Sequence, residues 1–119
     1  MDIVSFETAK RLKAAGFPQP EPEKNQFWYD GDFGHLICYG HSHDFSLGYP
    51  VDITDLNIFA PTATDILKEF EDATLFYSSR VEKFWCSAAS SSIGWFDIDH
   101  DAPAEAAALA WLAIHEKAA

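Results

Sequence analysis

Two hydrophobic periodicities alternate along this chain of 119 residues, and together they limit the folds open to it. Apolar residues recur at helical spacing over 6–15, between Ser5, a candidate N-cap, and Gly16, a candidate helix stop. A connector at 17–22 contains three prolines, which exclude a regular helix or a central strand there. The sequence therefore predicts a first helix that a connector separates from the segments that follow.

Segments with strand-like composition pair into two predicted hairpins. The aromatic runs 26–30 and 32–41 meet at an Asp-Gly dipeptide at 30–31, which favours a tight turn. Further along, residues 75–79 and 83–88 are separated by a short polar stretch. We expect each pair to be antiparallel.

A loop and a second helix are predicted between the hairpins. Residues 42–61 are rich in Asp, Gly and Pro and indicate a long loop, with room for a short edge strand at 56–59. Thr62 then opens a helix that runs to about residue 70. Asp65 lies at the third helical position, which indicates a near capping box with Thr62.

The end of the chain completes the predicted order of elements. Residues 93–98 fit either a fifth strand or an extended approach to a last, Ala-rich helix at 103–117. The order helix, hairpin, helix, hairpin, helix is typical of an α+β protein. We therefore expect a single domain over 1–119, with an antiparallel sheet of four or five strands and helices packed on one face.

Net charge limits the partners of this chain. Eight Lys and Arg against nineteen Asp and Glu give a formal net charge of −11 at pH 7. So few cations cannot supply the phosphate contacts that drive nucleic-acid binding, nor an attraction to anionic lipid. We expect no direct nucleic-acid or membrane partner, and the charge favours either a protein partner with a basic surface or no partner. Solubility alone is the competing explanation of the charge.

Several features predict a cytoplasmic protein. The longest helical apolar run, 106–114, is shorter than the roughly 20 residues that cross a bilayer, and the N-terminus lacks the pattern of a signal peptide. Cys38 and Cys86 lie in aromatic, strand-like surroundings. We interpret them as two reduced core cysteines, not as a disulfide.

Three short stretches carry a resemblance to a known family. They are SFETAKRLK at 5–13 with Gly16-Phe17, Ala60-Pro61-Thr62, and EAAAL at 105–109. Together they resemble the opening, middle and closing helices of a family of small, uncharacterised phage and prophage proteins. The resemblance implies a phage-derived protein that acts inside a bacterial host. It implies no activity, cofactor or catalytic residue.

A cluster of possible metal ligands lies in the first predicted hairpin. In an extended strand the odd-numbered His35, His41 and His43 share one face, whereas Cys38 points to the other. Zinc sites usually repeat a close ligand pair, and no second pair follows here. Solvent-facing histidines at the end of a strand are therefore the favoured interpretation, and a metal-binding protein or hydrolase is the alternative.

Signals for catalysis are weak elsewhere in the chain. The serine tract at 90–92 lies outside any Gly-x-Ser-x-Gly turn, and neither cysteine has a local signature of an activated thiolate. A Cys/His pair assembled in space stays possible on sequence grounds. The sequence favours a protein that is not an enzyme and that needs no cofactor.

An alternation of acids near the C-terminus has two interpretations. The acids are Asp97, Asp99 and Asp101. A calcium-binding EF-hand would require Gly and Glu where Ala102 and Ala108 stand, so that interpretation fails. Strand alternation instead places Trp95 on the same side as the first two acids, as an acidic strip beside an indole. For Asp101, capping of the last helix ahead of Ala102-Pro103 is the alternative to a role in partner binding.

These observations favour a small acidic phage-type protein that acts by protein–protein binding. Its sharpest version inhibits a nucleic-acid-binding protein of host defence. The alternatives are the metal site described above and a homo-oligomeric structural or assembly accessory that associates through an exposed sheet edge. The predicted interface combines acids with aromatic anchors, at Trp28, Tyr29, Asp30, Asp32, Tyr49, Trp95, Asp97 and Asp99.

Overall fold

The computed structural model describes residues 2–23, 26–38, 57–91 and 94–118. Within these ranges the chain forms three helices and six strands. In chain order they are α1 (Phe6–Ala14), β1 (Phe27–Tyr29), β2 (Leu36–Cys38), β3 (Ile58–Phe59), α2 (Ala63–Leu67), β4 (Asp72–Ser78), β5 (Lys83–Ser90), β6 (Gly94–His100) and α3 (Pro103–Ala118). The chain divides into two compact units. We call Ser5–Pro61 the N-terminal unit and Thr62–Ala119 with Met1–Val4 the C-terminal unit.

The sheet arrangement corrects the prediction from the sequence. The α+β class holds, but the predicted single sheet of four or five strands is wrong, because the described strands form two antiparallel sheets of three. Their orders are β2-β1-β3 and β4-β5-β6. The predicted order of helix, hairpin, helix, hairpin, helix is also wrong. Both segments that the sequence left open are strands, and each adds a third strand to one of the hairpins as β3 or β6.

Helix α1 begins at the predicted Phe6 and ends at Ala14, one residue before the predicted end. The Ser5 hydroxyl oxygen accepts a hydrogen bond from the Thr8 N–H at 3.2 Å, which satisfies an amide that has no partner within the helix. Gly16 follows the last turn with a φ of 93°, a conformation that side chains disfavour. Leu12 and Ala9 face inward and are buried. The predicted N-cap and helix stop are thus confirmed.

The turn between β1 and β2 differs from the predicted tight Asp-Gly turn. Tyr29 pairs with Leu36, so the connection contains six residues and not two. The Asp30 N–H donates to the His35 carbonyl at 2.8 Å, and an Asp30 carboxylate oxygen accepts from the Asp32 N–H at 2.8 Å. Gly34, with a φ of 76°, takes the left-handed conformation in this longer turn.

Helix α2 begins as predicted but is shorter. The Thr62 hydroxyl accepts from the Asp65 N–H at 3.2 Å, and the Asp65 carboxylate accepts from the Thr62 N–H at 3.0 Å. This reciprocal pair confirms the capping box. The helix ends at Leu67 instead of residue 70, and the next turn tightens, with the Glu69 N–H donating to the Ile66 carbonyl.

In the C-terminal unit, α3 packs against β5 and β6, and α2 packs against α3. Alanines at 104, 106, 107, 108 and 110 are fully buried, so small side chains let the α3 backbone approach its neighbours closely. The Asp2 carboxylate accepts from the Ala104 N–H at 3.2 Å and so partners a free amide at the start of α3. Within the described residues, no helix has the length and apolar character needed to span a membrane.

Candidate protein-binding surface

The sheet β4-β5-β6 has two different faces. Cys86 and Ala88 in β5 are fully buried on the face that α3 covers. Alternate residues point the other way, and the strand register shows which of them are neighbours. We call that side the open face, formed by Asp72, Thr74, Phe76, Ser78, Lys83, Trp85, Ser87, Ala89, Trp95, Asp97 and Asp99.

Aromatic side chains lie at two ends of the open face. Trp85 has Phe76 as its neighbour in β4, and the Phe76 side chain is 48% exposed. Trp95, 63% exposed, lies beside Ala89 on the outer strand β6. Since successive side chains on one face are about 7 Å apart along a strand, the rows of Trp85 and Trp95 are separated by about 14 Å. The row between them contains Thr74, Ser87 and Asp97, with Ser87 at its centre.

Carboxylates line the β6 side of the open face. Asp99 and Asp101 both lie near the Lys83 ammonium, at 3.8 and 3.7 Å between nitrogen and oxygen. Asp97 forms no ion pair with any described residue. No described cation therefore balances its negative charge, and it lies next to Trp95 on the same side of the strand. An exposed indole beside such a carboxylate suits a cation, which both groups attract.

The predicted interface residues separate into two groups. Trp95, Asp97 and Asp99 are exposed together on β6, as strand alternation predicts. Trp28 is only 3% exposed and packs on Phe59 with ring centroids 5.3 Å apart, so it belongs to the core of the N-terminal unit.

The remaining predicted interface residues lie in the N-terminal unit. Tyr29 is half-buried against Phe6, at 5.5 Å between centroids. Asp30 and Asp32 belong to the turn after β1, where the Asp30 carboxylate holds the Asp32 amide. Tyr49 lies outside the described residues. The structure therefore brings Trp95, Asp97 and Asp99 together on β6, whereas Asp32, although exposed, lies apart from them in the turn after β1.

Residues of β4 and β5 on the open face were missed by the sequence reasoning. Phe76, Trp85 and Asp72 join the β6 acids only through the pairing of three strands. Period-two alternation within 72–78 and 83–90 was the signal that could have placed them on one face. The pairing register itself is a long-range property and leaves no comparable local signal.

The predicted metal ligands are only partly described. His35 is exposed and stacks on Phe33, with centroids 5.9 Å apart, while Cys38 is buried. His41 and His43 lie outside the described residues. In the part of the chain that the structure describes, no three His, Cys, Asp or Glu side chains come together as a metal site. The metal alternative at 35–43 stays a prediction.

Both cysteines are free and buried, which confirms the predicted reduced core thiols. Burial, together with the smaller effect of the nearby Asp97 charge, raises the pKa of the Cys86 thiol to about 11. Burial also raises the pKa of Cys38. A thiol held protonated in this way is a poor nucleophile, because the thiolate is the reactive form. Neither cysteine is prepared for covalent catalysis.

A depression that shares only Ala89 with the open face lies in the C-terminal unit, where the residues after α2 meet the ends of β5 and α3. Its volume is about 170 Å³, and its lining residues are Glu69, Phe70, Glu71, Ala89, Ser90, Ile114 and His115. The His115 ring stacks on Trp111 with centroids 3.7 Å apart. Its Nδ1 lies 2.9 Å from the Trp111 carbonyl, which can only accept, so Nδ1 donates this hydrogen bond. These contacts give His115 a structural role at the end of α3.

No protein-family model, curated protein or solved structure shows significant similarity to this chain. The resemblance to small phage proteins therefore stays a prediction.

Proposed function

We propose that this protein binds a partner protein with a basic surface, and that the open face of β4-β5-β6 is the contact. The observation that carries the proposal is the pairing of an exposed indole with a carboxylate that has no cationic neighbour among the described residues. Trp95 is 63% exposed, and Asp97 beside it forms no ion pair with any described residue. A Lys or Arg of a partner satisfies both groups at once.

Interaction energies favour a Lys or Arg side chain of the partner at this position over a neutral side chain. A cation over an indole contributes about 0.5–2 kcal/mol, depending on how much water is excluded. An exposed ion pair adds ~0.2–1 kcal/mol, and the remaining carboxylates steer the approach of a basic surface. Phe76 and Trp85 provide apolar area next to these groups, which a protein partner covers and a small cation does not.

Proteins that hold nucleic acid are a natural source of such basic surfaces, since phosphate binding requires clustered Lys and Arg. Our proposal extends to a competitor of nucleic acid that occupies a host protein's binding surface inside a bacterial cell. The net charge of −11 supports this role, because it opposes direct contact with the nucleic acid itself. Two buried, free cysteines fit the reducing cytoplasm in which this competition would take place.

A binding titration with a defined basic probe tests the proposal. The probe is a short polyarginine peptide, and the readout is tryptophan emission, to which the exposed Trp95 contributes. We expect the double variant Trp95→Ala/Asp97→Asn to weaken binding about tenfold, since the two lost contacts together amount to ~1–2 kcal/mol. Anisotropy of a labelled peptide gives the same constant without relying on the indole.

The matched control is Phe33→Ala/Asp32→Asn. It removes one aromatic side chain that is 76% exposed and one exposed acid, so its change in charge is identical, but it lies in the N-terminal unit. We expect this control to bind the peptide like the wild type. Equal loss in both variants would mean that charge alone drives binding, and no loss in the open-face variant would refute the proposal.

A competition experiment tests the inhibitory part. A bacterial nucleic-acid-binding protein that the wild type and the control retain, but the open-face variant does not, is challenged with labelled DNA. We expect the wild type to displace the DNA and the open-face variant to fail. A ternary complex with DNA still bound would contradict competition while leaving the open-face contact intact.

A further inference from the structure

Strand β6 is an edge of its sheet. It is seven residues long and pairs with β5, and no other described strand is hydrogen-bonded to it. Half of the backbone N–H and C=O groups of an edge strand point away from the sheet and can pair with another extended segment. The outer side of β6 therefore offers directional hydrogen bonds next to the acids and indole of the open face.

The side chains of β6 specify what an added strand would have to carry. Trp95, Asp97 and Asp99 lie on the open face, while Phe96, Ile98 and His100 are half-buried on the other. An added strand alternates in the same way, so every second residue would lie beside the acids and the indole. The intervening residues would lie beside Phe96 and Ile98. A segment with cations on one face and apolar side chains on the other therefore matches both sets of β6 side chains.

A second copy of this chain is a poor occupant of the same edge. An antiparallel pair of β6 strands with full overlap places Asp97 opposite Asp97 of the copy, and Trp95 opposite Asp99. Like charges directly opposite each other destabilise a strand pair, and charged edges are a common protection against self-association. The net charge of −11 on each copy adds to the repulsion.

We infer that β6 receives an extended segment of the partner as a fourth strand of the sheet, and that Lys or Arg alternates with apolar residues in this segment. The inference rests on the proposed function and specifies the partner's sequence pattern. Backbone hydrogen bonds supply the affinity, as in other cases of strand addition. Trp95, Asp97 and Asp99 favour Lys or Arg at every second position of the segment, and Phe96 and Ile98 favour apolar residues at the positions between.

Two peptides of identical composition test the inference. One alternates Arg and Val over the length of β6, and the other places all Arg residues before all Val residues. We expect the alternating peptide to bind about tenfold more tightly, because only it can present a cationic face and an apolar face together. N-methylation of alternate amides on the pairing edge should abolish this advantage, since it removes the ladder donors without changing charge.

Hydrogen exchange identifies the strand. The alternating peptide should slow amide exchange in Gly94–His100 and leave the outer amides of β4 unchanged. If the wild type bound both peptides equally and the variant Trp95→Ala/Asp97→Asn bound neither, strand addition would be refuted. The proposed function would remain. Binding of both peptides that this variant does not weaken would refute the proposed function itself. If the peptide slowed amide exchange at β4 instead, β6 would not be the strand that receives it. If exchange at β6 slowed without peptide as protein concentration rises, a second copy of the chain would be the occupant.

Discussion

Replacing Gly34 with alanine tests how closely the turn after β1 packs on α1. A Cβ added at Gly34 would lie 2.7 Å from Cδ2 and 2.9 Å from Cε2 of the Phe6 ring. The ring is held from other directions, because its centroid is 5.5 Å from that of Tyr29 and 4.7 Å from the Lys10 ammonium. Moving the ring to make room for the methyl group therefore disturbs two further contacts.

The expected cost has two parts. The left-handed φ of 76° costs about 1–2 kcal/mol for a residue with a Cβ. Overpacking against a ring that cannot shift freely adds ~1–3 kcal/mol. Gly16 separates these parts, because its φ is 93° but no atom lies within 4 Å of a Cβ built there. We expect Gly34→Ala to lower the free energy of unfolding by about 2–5 kcal/mol, and Gly16→Ala by ~1–2 kcal/mol.

Urea unfolding of the two variants, followed at an unchanged m-value, measures the difference. A double-mutant cycle with Phe6→Ala then isolates the ring contact, since removing the ring should reduce the cost of Gly34→Ala to that of Gly16→Ala. The unfolded-state entropy of Gly→Ala is common to both sites and cancels in the comparison. Equal costs at the two glycines, or a Gly34→Ala cost that Phe6→Ala leaves unchanged, would refute the packing argument.

Other contacts give shorter predictions. Thr62→Ala removes the capping box and should cost about 1 kcal/mol in urea unfolding, whereas Thr64→Ala on the exposed side of the same helix should be near neutral. Asp2→Ala should destabilise the C-terminal unit by ~1 kcal/mol, measured in the same way, because the Ala104 amide loses its acceptor. The Cys86 pKa of about 11 lies above the ordinary 9.0, so the unfolded chain ionises first as pH rises. The free energy of unfolding should therefore fall by up to ~3 kcal/mol between pH 9 and 11, and Cys86→Ala should flatten that slope.

Local signals in the sequence predict where α1 and α2 begin and where α1 stops, but not the early end of α2. Ser5 with Gly16 and Thr62 with Asp65 are confirmed, because a cap depends on residues within one or two turns of each other. Contacts between residues far apart in the sequence leave no such local signal. The acceptor at the start of α3 is Asp2, 102 positions away, and no composition or period indicates such a pairing.

The strand pairing fails for the same physical reason. β1 pairs with β3 as well as β2, and Trp28 lies opposite Phe59, far along the chain. The Asp-Gly dipeptide at 30–31 favours a two-residue turn, but the register of Tyr29 and Leu36 requires a longer one. Gly34 then takes the left-handed position beside Phe6, where any side chain would collide with the ring.

The candidate site shows the same division between local and distant information. Trp95, Asp97 and Asp99 share a face because they belong to one strand, which period-two alternation predicts directly. Trp28 has the same composition signal, an aromatic near acids, yet its face of β1 is buried. Burial of a strand's face depends on the elements that pack against that face. The sequence of the strand alone therefore does not predict which face is buried.

The position of Lys83 explains why a partner's cation is attracted to the same end of β6 at which Trp95 can bind it. It lies within 4 Å of carboxylate oxygens of Asp99 and Asp101, so the protein's own cation partly neutralises the end of the strand that adjoins α3. Asp97 has no such neighbour among the described residues, and the most exposed indole of the open face stands beside it. A partner's cation is therefore drawn to the end at which Trp95 can hold it, and it meets competition from Lys83 at the other.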